Sequence, residues 1–409
     1  MNLALCIVLP LIIGPYLGLD QEGLRQLTQR TLFFTGFATI LQAYWGHKMP
    51  IYEGLSTIWI SAIIILNGNA LLTAKPLSQL QSELALGFIA GGLLYIIIAS
   101  MKLMGPISKL FTPVVMGNFF VLIVLQIIKS IASNFICLTN GIFVINELNM
   151  IMALITITTI YFVNKFGCAY ISNFSLLIGA ITGWIGYIVA SLYGLTIYRF
   201  VPTDGLPILE FPEPFSWGIP RFDLVVISTS LIIAFMVFAN LIATVKGMAN
   251  LLKVDNLEID RAVLITGVAN IIGGLWGVIG FVPMSHCIGF VEVTGNSSKK
   301  PLILHAVFLM IMGLIPSLGA FFTSMPSVVG QAILLVVLLK MFRLGMYQYS
   351  LVASNLKNKI TIYIPLTLGV VLLLMPQNYF SGLPVIVAGM AGNGFVMGLL
   401  VTLLLDNLL

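Results

Sequence analysis

Apolar blocks about as long as a bilayer is thick recur from one end of this 409-residue chain to the other and leave room for little else. A helix needs about 20 apolar residues to cross a hydrocarbon core roughly 30 Å thick. Candidate spans fall near residues 3–19, 30–46, 51–68, 84–104, 110–133, 142–164, 169–193, 222–246, 261–280, 284–297, 302–323, 326–343, 360–375 and 384–405. That makes fourteen, the tenth too short for a plain helical crossing. Hydrophobic residues are 59% of the chain and charged residues 8%, against roughly a quarter charged in soluble domains. The expected fold class is an all-α polytopic membrane protein with no soluble domain.

The opening segment has no basic n-region, and Leu3–Leu19 leads into further spans rather than a cleavage site. It reads as a short first span lacking some upstream residues. Cys6, Cys137, Cys168 and Cys287 have no CxxC spacing, so neither a zinc nor a redox site is expected. The net charge of +5 comes from basic residues scattered singly between spans, so it says nothing for nucleic acid and no nucleic-acid partner is expected. The acids are too dispersed for a lipid-modifying membrane enzyme, and no cofactor or metal is expected.

Lysine and arginine bias in the connections sets orientation. With a cytoplasmic N-terminus, the inner connections hold Lys48, Lys102, Lys109, Lys165, Lys253, Arg261, Lys299, Lys300, Lys340, Arg343, Lys357 and Lys359. The outer ones hold only Arg25, Arg30, Lys75, Lys129, Arg199 and Arg221. The longest connection, 194–221, is then extracytoplasmic, and both termini are cytoplasmic in a cell (inner or plasma) membrane.

An internal repeat organises the chain. Pro113-Val114-Val115-Met116-Gly117 opens the fifth block and Pro326-Ser327-Val328-Val329-Gly330 the twelfth. Upstream, each half has an irregular Gly/Pro segment, Gly46–Gly54 and Gly280–Gly289. Two halves of seven spans have opposite orientation because seven is odd, and inverted repeats build alternating-access carriers around a mid-membrane site. Segments 50–54 and 283–289 are expected to be non-helical at their starts, since proline removes an amide donor. Backbone of that kind survives at membrane depth only when buried in protein or lining a wet cavity. Half-helices beginning near Gly54 and Gly289 then aim free amides at one point.

These residues carry a family resemblance. Gly46–Ser56 resembles the third-span entry of the nucleobase-ascorbate transporters (nucleobase:cation symporter-2), which include uracil and xanthine permeases, and Gly289–Gly295 is similar to part of that family's signature. The resemblance implies fourteen spans as a 7+7 inverted repeat, with short strands in discontinuous spans three and ten. Core-domain spans lie in 1–105 and 222–323, gate-domain spans in 106–193 and 324–409, and 194–221 is the extracytoplasmic loop. It further implies a homodimer, a small-molecule nucleobase solute moved by an elevator-type mechanism, and coupling to H+ or Na+. The sequence departs from the family where substrate is gripped: Asn240 stands for the acid of span eight, Thr244 for a histidine, and His286-Cys287 for the Gln/Glu-Asn of span ten.

What remains gives the candidate site. Asn240, Thr244 and Gly247 share one helix face, and asparagine offers donors and an acceptor to a nucleobase edge; its alternative use is an interhelical hydrogen bond. His286 falls where the half-helices converge and titrates near neutrality. Glu53 and Glu292 are acids within spans, expensive enough there to suggest function. Trp59 is either a stacking platform or a packed aromatic, and Lys246 a snorkelling end residue. The substrate-binding set is thus Glu53, Gly54, Trp59, Asn240, Thr244, His286, Cys287 and Gly289, with Glu53, His286 and Glu292 as coupling candidates. The alternative is a sulfate- or bicarbonate-like anion carrier on the same 7+7 fold.

Overall fold

The computed structural model describes residues 2–72, 74–103, 106–107, 110, 112–132, 136–139, 142–172, 174–198, 200–203, 205–254, 257–285, 287–288, 291, 296–375, 379 and 394–408. Its helices are α1 (Asn2–Ile13), α2 (Gln21–Trp45), α3 (Thr57–Leu72), α4 (Leu77–Ser100), α5 (Pro113–Ala132), α6 (Glu147–Phe166), α7 (Ala169–Ser172), α8 (Ser175–Leu192), α9 (Leu224–Leu252), α10 (Ile259–Leu275), α11 (Lys300–Gly313), α12 (Pro316–Thr323), α13 (Ser327–Ser350), α14 (Leu356–Leu374) and α15 (Gly394–Leu408). Six of these are long and apolar enough to cross a membrane singly; α11 and α12, bent 88° apart at a short break, make a seventh crossing if taken together. Among the described residues four short strands, β1 (Glu53–Leu55), β2 (Ile136–Thr139), β3 (Ile142–Ile145) and β4 (Phe281–Pro283), form two antiparallel pairs, β1 with β4 and β2 with β3.

Helix packing follows small residues. Gly92 of α4 and Gly267 of α10 face each other so closely that a Cβ on either would lie 2.6 or 2.7 Å from the other's carbonyl oxygen. Gly36 and Gly313 serve the α2–α11 contact in the same way, abutting the carbonyls of Ala306 and Gln29. Without a hydrophobic driving force between helices in lipid, close backbone approach of this kind supplies the association. Further packed pairs are α9 with α4, α6 with α8, α14 with α15, α5 with α13, α14 and α15, and α13 with α6 and α8.

Polar side chains tie these groups together. In one, Asn118 of α5 donates to Thr402 Oγ1 (2.9 Å) and accepts from the Tyr349 hydroxyl (2.6 Å). In another, Lys75, between α3 and α4, bridges Glu83 (2.8 Å) and Asp223 (2.7 Å). The Asp223 carboxylate also caps α9 by accepting from the Val225 and Val226 amides.

Three expectations about boundaries need correction. The second span starts at Gln21 rather than residue 30, so Arg25 and Arg30 are buried helix residues and not loop charges. Arg25 is held there by Glu22, Gln29 and Glu210, partners that compensate its burial. Helix α13 continues to Ser350, which places Lys340 and Arg343 within it. The β2–β3 hairpin follows the fifth block unannounced.

The long connection after α8 is pinned. Glu210 N–H donates to Leu314 O (2.9 Å), Phe215 N–H to Leu275 O (2.7 Å) and Arg221 N–H to Ser82 O (3.1 Å), while Trp276 Nε1 donates to Pro212 O (3.1 Å). Trp217 plugs in against Gly277, whose φ of +63° suits glycine and whose Cβ, if present, would lie 2.8 Å from the indole.

Candidate functional site

The two irregular segments meet. Strands β1 and β4 pair with Glu53 opposite Pro283, Gly54 opposite Val282 and Leu55 opposite Phe281. Ser56 N–H to Gly280 O (3.0 Å) and Met284 N–H to Tyr52 O (3.1 Å) extend the ladder at both ends. Pairing satisfies backbone groups that no helix can at this depth, so each segment completes the other. Helix α3 begins directly after β1, and the chain turns helical again at Cys287 after β4. Helix α3 thus meets the crossing amide side first, where partial positive charge gathers.

Each strand is clamped by the helix before it. The Thr39 hydroxyl oxygen of α2 accepts from Glu53 N–H at 3.0 Å. The Asn270 side chain of α10 accepts from Phe281 N–H at 2.7 Å and donates to Phe281 O at 3.3 Å. Neither residue stands out in sequence as a site residue; an asparagine inside an apolar helix was the available signal for Asn270.

Glu53 is completely buried, and neither carboxylate oxygen has a hydrogen-bond partner among the described residues. An ionised carboxylate in such surroundings is costly unless a proton or a hydrogen-bond donor reaches it. Tyr95 of α4 and Cys287 beyond β4 are buried as well. Tyr95 is held in turn by donating to Ala234 O of α9 (2.6 Å) and packs its ring on Phe238, centroids 5.7 Å apart. Sequence reasoning passed over Tyr95 and Phe238, because aromatics in apolar helices carry no local signal of what they face.

The remaining candidates divide. Gly54 lies within the strand pair, and Cys287 is buried with its N–H on Met284 O. Asn240 and Thr244 are joined by a hydrogen bond from the Thr244 hydroxyl (3.4 Å). One turn on, Gly247 abuts Ile288, so this face of α9 turns toward the segment after β4. Trp59 is instead packed: its ring sits edge-on to Phe88 at 4.5 Å and its indole nitrogen crowds Gly280. His286, Gly289 and Glu292 lie outside the described residues. His47, buried, accepts from Met49 N–H on Nδ1 (3.0 Å), and the ring of His305 lies 6.2 Å from that of Tyr52. Lys246 is exposed on α9, which continues to Leu252.

Apolar helices long enough to cross a membrane, around a strand crossing, are the build of a multi-pass membrane protein, and the family match below makes it a transport protein. It moves a small-molecule solute and is not an enzyme. The chain belongs to the xanthine/uracil permease family, the Permease family, whose profile matches residues 2–378. It is 26% identical to YwdJ of Bacillus subtilis (strain 168), named as a proposed purine permease, over 99% of this chain and 92% of that one. With the xanthine permease of the same organism it shares 24% identity, covering 96% of this chain and 87% of the relative. In fold it is similar to the transmembrane domain of the cyanobacterial bicarbonate transporter BicA, with a TM-score of 0.65 at 17% identity over 96% of this chain and 94% of that chain.

Proposed function

We propose that this protein is a secondary active transporter of nucleobases of the uracil, xanthine or purine kind. The observation that carries the reading is the buried Glu53 carboxylate without a partner among the described residues, beside the strand crossing. Heterocycles of this class present ring N–H donors next to carbonyl acceptors. Glu53 receives the N–H groups, a charge-assisted bond stronger than a neutral one. The amide ends at α3 and Cys287 receive the carbonyls, and Asn240 reads the remaining edge. The acid that the span-eight and span-ten positions lack is thereby supplied from span three.

Protonation of the same carboxylate is the coupling event on this reading, with His286 and Glu292 as further coupling candidates. Sodium is the other driving ion to be tested. The arrangement is read as a 7+7 inverted repeat, supported by reciprocal packing: α4 on α10 mirrors α11 on α2, α6 on α8 mirrors α14 on α15, and α5 on α14 mirrors α13 on α6. Spans in 1–105 and 222–323 form the core, which rises and falls as an elevator against a gate from 106–193 and 324–409. The protein acts as a homodimer with cytoplasmic termini, 194–221 lying outside.

An anion carrier is the second reading, favoured by the likeness to the BicA fold. Glu53 argues against it, because an ionised carboxylate at the crossing repels an anion in a medium of low dielectric. Uptake of labelled uracil, xanthine, adenine, ascorbate and sulfate into proteoliposomes, under imposed proton or sodium gradients, decides between them. Saturable nucleobase uptake is expected. Failure of every nucleobase to be transported or to compete overturns the proposal, and uptake of sulfate alone establishes the rival.

A further inference from the structure

Away from the strand crossing, a cavity of about 390 Å³ lies between α1, α8 and the end of α12, with no polar lining. Val8 of α1 and Ala180 and Trp184 of α8 form two walls; Phe321 of α12 and Met325 form the third. Val8, Ala180 and Met325 are buried, whereas Ile181 and Phe321 at the rim expose 46% and 47% of their surface. Apolar rim residues on membrane-spanning helices face hydrocarbon, so the cavity opens to the acyl region. Trp184 closes one end: its ring packs on Phe321 with centroids 4.9 Å apart, and its Nε1 donates to the Tyr198 hydroxyl oxygen at 2.6 Å.

We propose that this cavity is a lipid-binding site that holds one acyl chain of a membrane phospholipid. Water does not fill an apolar cavity, which offers it no hydrogen-bond partners. The volume is that of a ligand site, within about 300–1,000 Å³, and suits a run of methylenes. A helix of a second copy, about 10–12 Å across with its side chains, does not fit inside it. The surrounding medium supplies acyl chains at the rim, and the Trp184–Tyr198 pair presents an apolar body with a polar tip, the kind of residue that sits at a headgroup boundary. On the core-and-gate reading above, the bound chain wedges between α8 of the gate and α1 and α12 of the core, so its occupancy sets how readily the two slide.

The test uses the full-length protein in vesicles of a phospholipid carrying a diazirine in its distal acyl chain, without any nucleobase. After photolysis, labels are expected in 177–188 and 321–325 at several times their level on the outward face of α6, where Ile151 and Leu154 are exposed. Ala180→Trp fills the cavity and is expected to cut that excess severalfold; Ile181→Trp makes the same comparison should the first variant fail to assemble. Labelling spread evenly over the lipid-facing helices, or an excess unchanged in both filled variants, overturns the proposal. So does a filled variant that goes from dimer to monomer with its labelling unaltered, which assigns the face to a second copy. No transport is measured, so this result stands apart from the nucleobase reading.

Discussion

Glu53 stands opposite Pro283 in the antiparallel crossing of β1 and β4, and its carboxylate is fully buried without a hydrogen-bond partner among the described residues. The ladder bonds come from the flanking pairs, Met284 N–H to Tyr52 O and Ser56 N–H to Gly280 O, so Glu53 and Pro283 form a non-hydrogen-bonded pair where a proline costs the ladder no donor.

Replacing that acid tests its role directly. A hydrogen bond to a charged group contributes about 1.5–3 kcal/mol, or roughly 10- to 150-fold at about 1.4 kcal/mol per decade. Glu53→Gln is expected to lower the initial rate of nucleobase uptake by at least about tenfold on that basis, and to abolish its response to an imposed proton gradient. Uptake that keeps both its rate and its gradient response removes Glu53 from the mechanism.

Asn240 and Trp59 separate site from scaffold. Asn240→Ala is expected to raise KM for uptake severalfold, because on the proposed reading it loses groups that face the solute. Trp59→Phe should leave KM within a factor of two or so, its ring being buried against Phe88 and Gly280. The opposite pattern in competition assays would exchange the two roles.

Asn270 holds both the N–H and the C=O of Phe281. Asn270→Ala strands both buried groups, at a cost of about 1–3 kcal/mol. The thermal midpoint of the purified protein should fall and nucleobase affinity should weaken with it, since β4 loses its anchor. An unchanged midpoint would show that the clamp contributes nothing.

The Gly92–Gly267 approach leaves no room for a side chain. Gly92→Val or Gly267→Val should force α4 and α10 apart and sharply reduce folded protein on size-exclusion chromatography. Gly194→Ala, at a position with φ of +73° and nothing nearby, should only add local strain. Equal yields from all three variants would refute the packing argument.

The Lys75 cluster gives stability a pH window. Burial alone would raise the Asp223 carboxyl, but the hydrogen bond from Lys75 and the Val226 and Val225 amides outweigh it and hold it below its ordinary value. Burial would likewise lower the Lys75 ammonium, yet its bonds to Asp223 and Glu83 raise it above its own. Asp223's contribution is therefore present above the unfolded carboxylate value, about 3.9, and is lost as pH falls through the depressed folded one. Lys75's is complete below about 10.4 and is lost as pH rises through the raised folded one. Thermal midpoints should differ between wild type and Lys75→Met across that range and converge at both extremes; a constant difference at all pH values rules the cluster out as a pH-dependent term.

Sequence alone shows how far local signals reach. Span existence was legible because lipid admits only long apolar segments, and the irregular starts of spans three and ten because Gly and Pro forbid regular helix. The starts of α2 and the end of α13 were misread, since Arg25, Arg30, Lys340 and Arg343 count as loop charges until their helices are seen to continue past them. For Arg25 the partner that permits burial, Glu210, is 185 residues away.

What the sequence by itself determined is the solvent and the class: apolar block length selects the bilayer, and the motifs near Gly54 and Gly289 point to the permease family. Only the tertiary structure decided which polar groups meet. Hydrogen bonds and charges act over a few ångströms, and Thr39, Glu53, Asn270 and Cys287 come within reach of one crossing only when two distant segments pair as β1 and β4. Spacing along the chain carries no record of that pairing, so the same fold that buries Trp59 also buries the Glu53 carboxylate without a hydrogen-bond partner among the described residues.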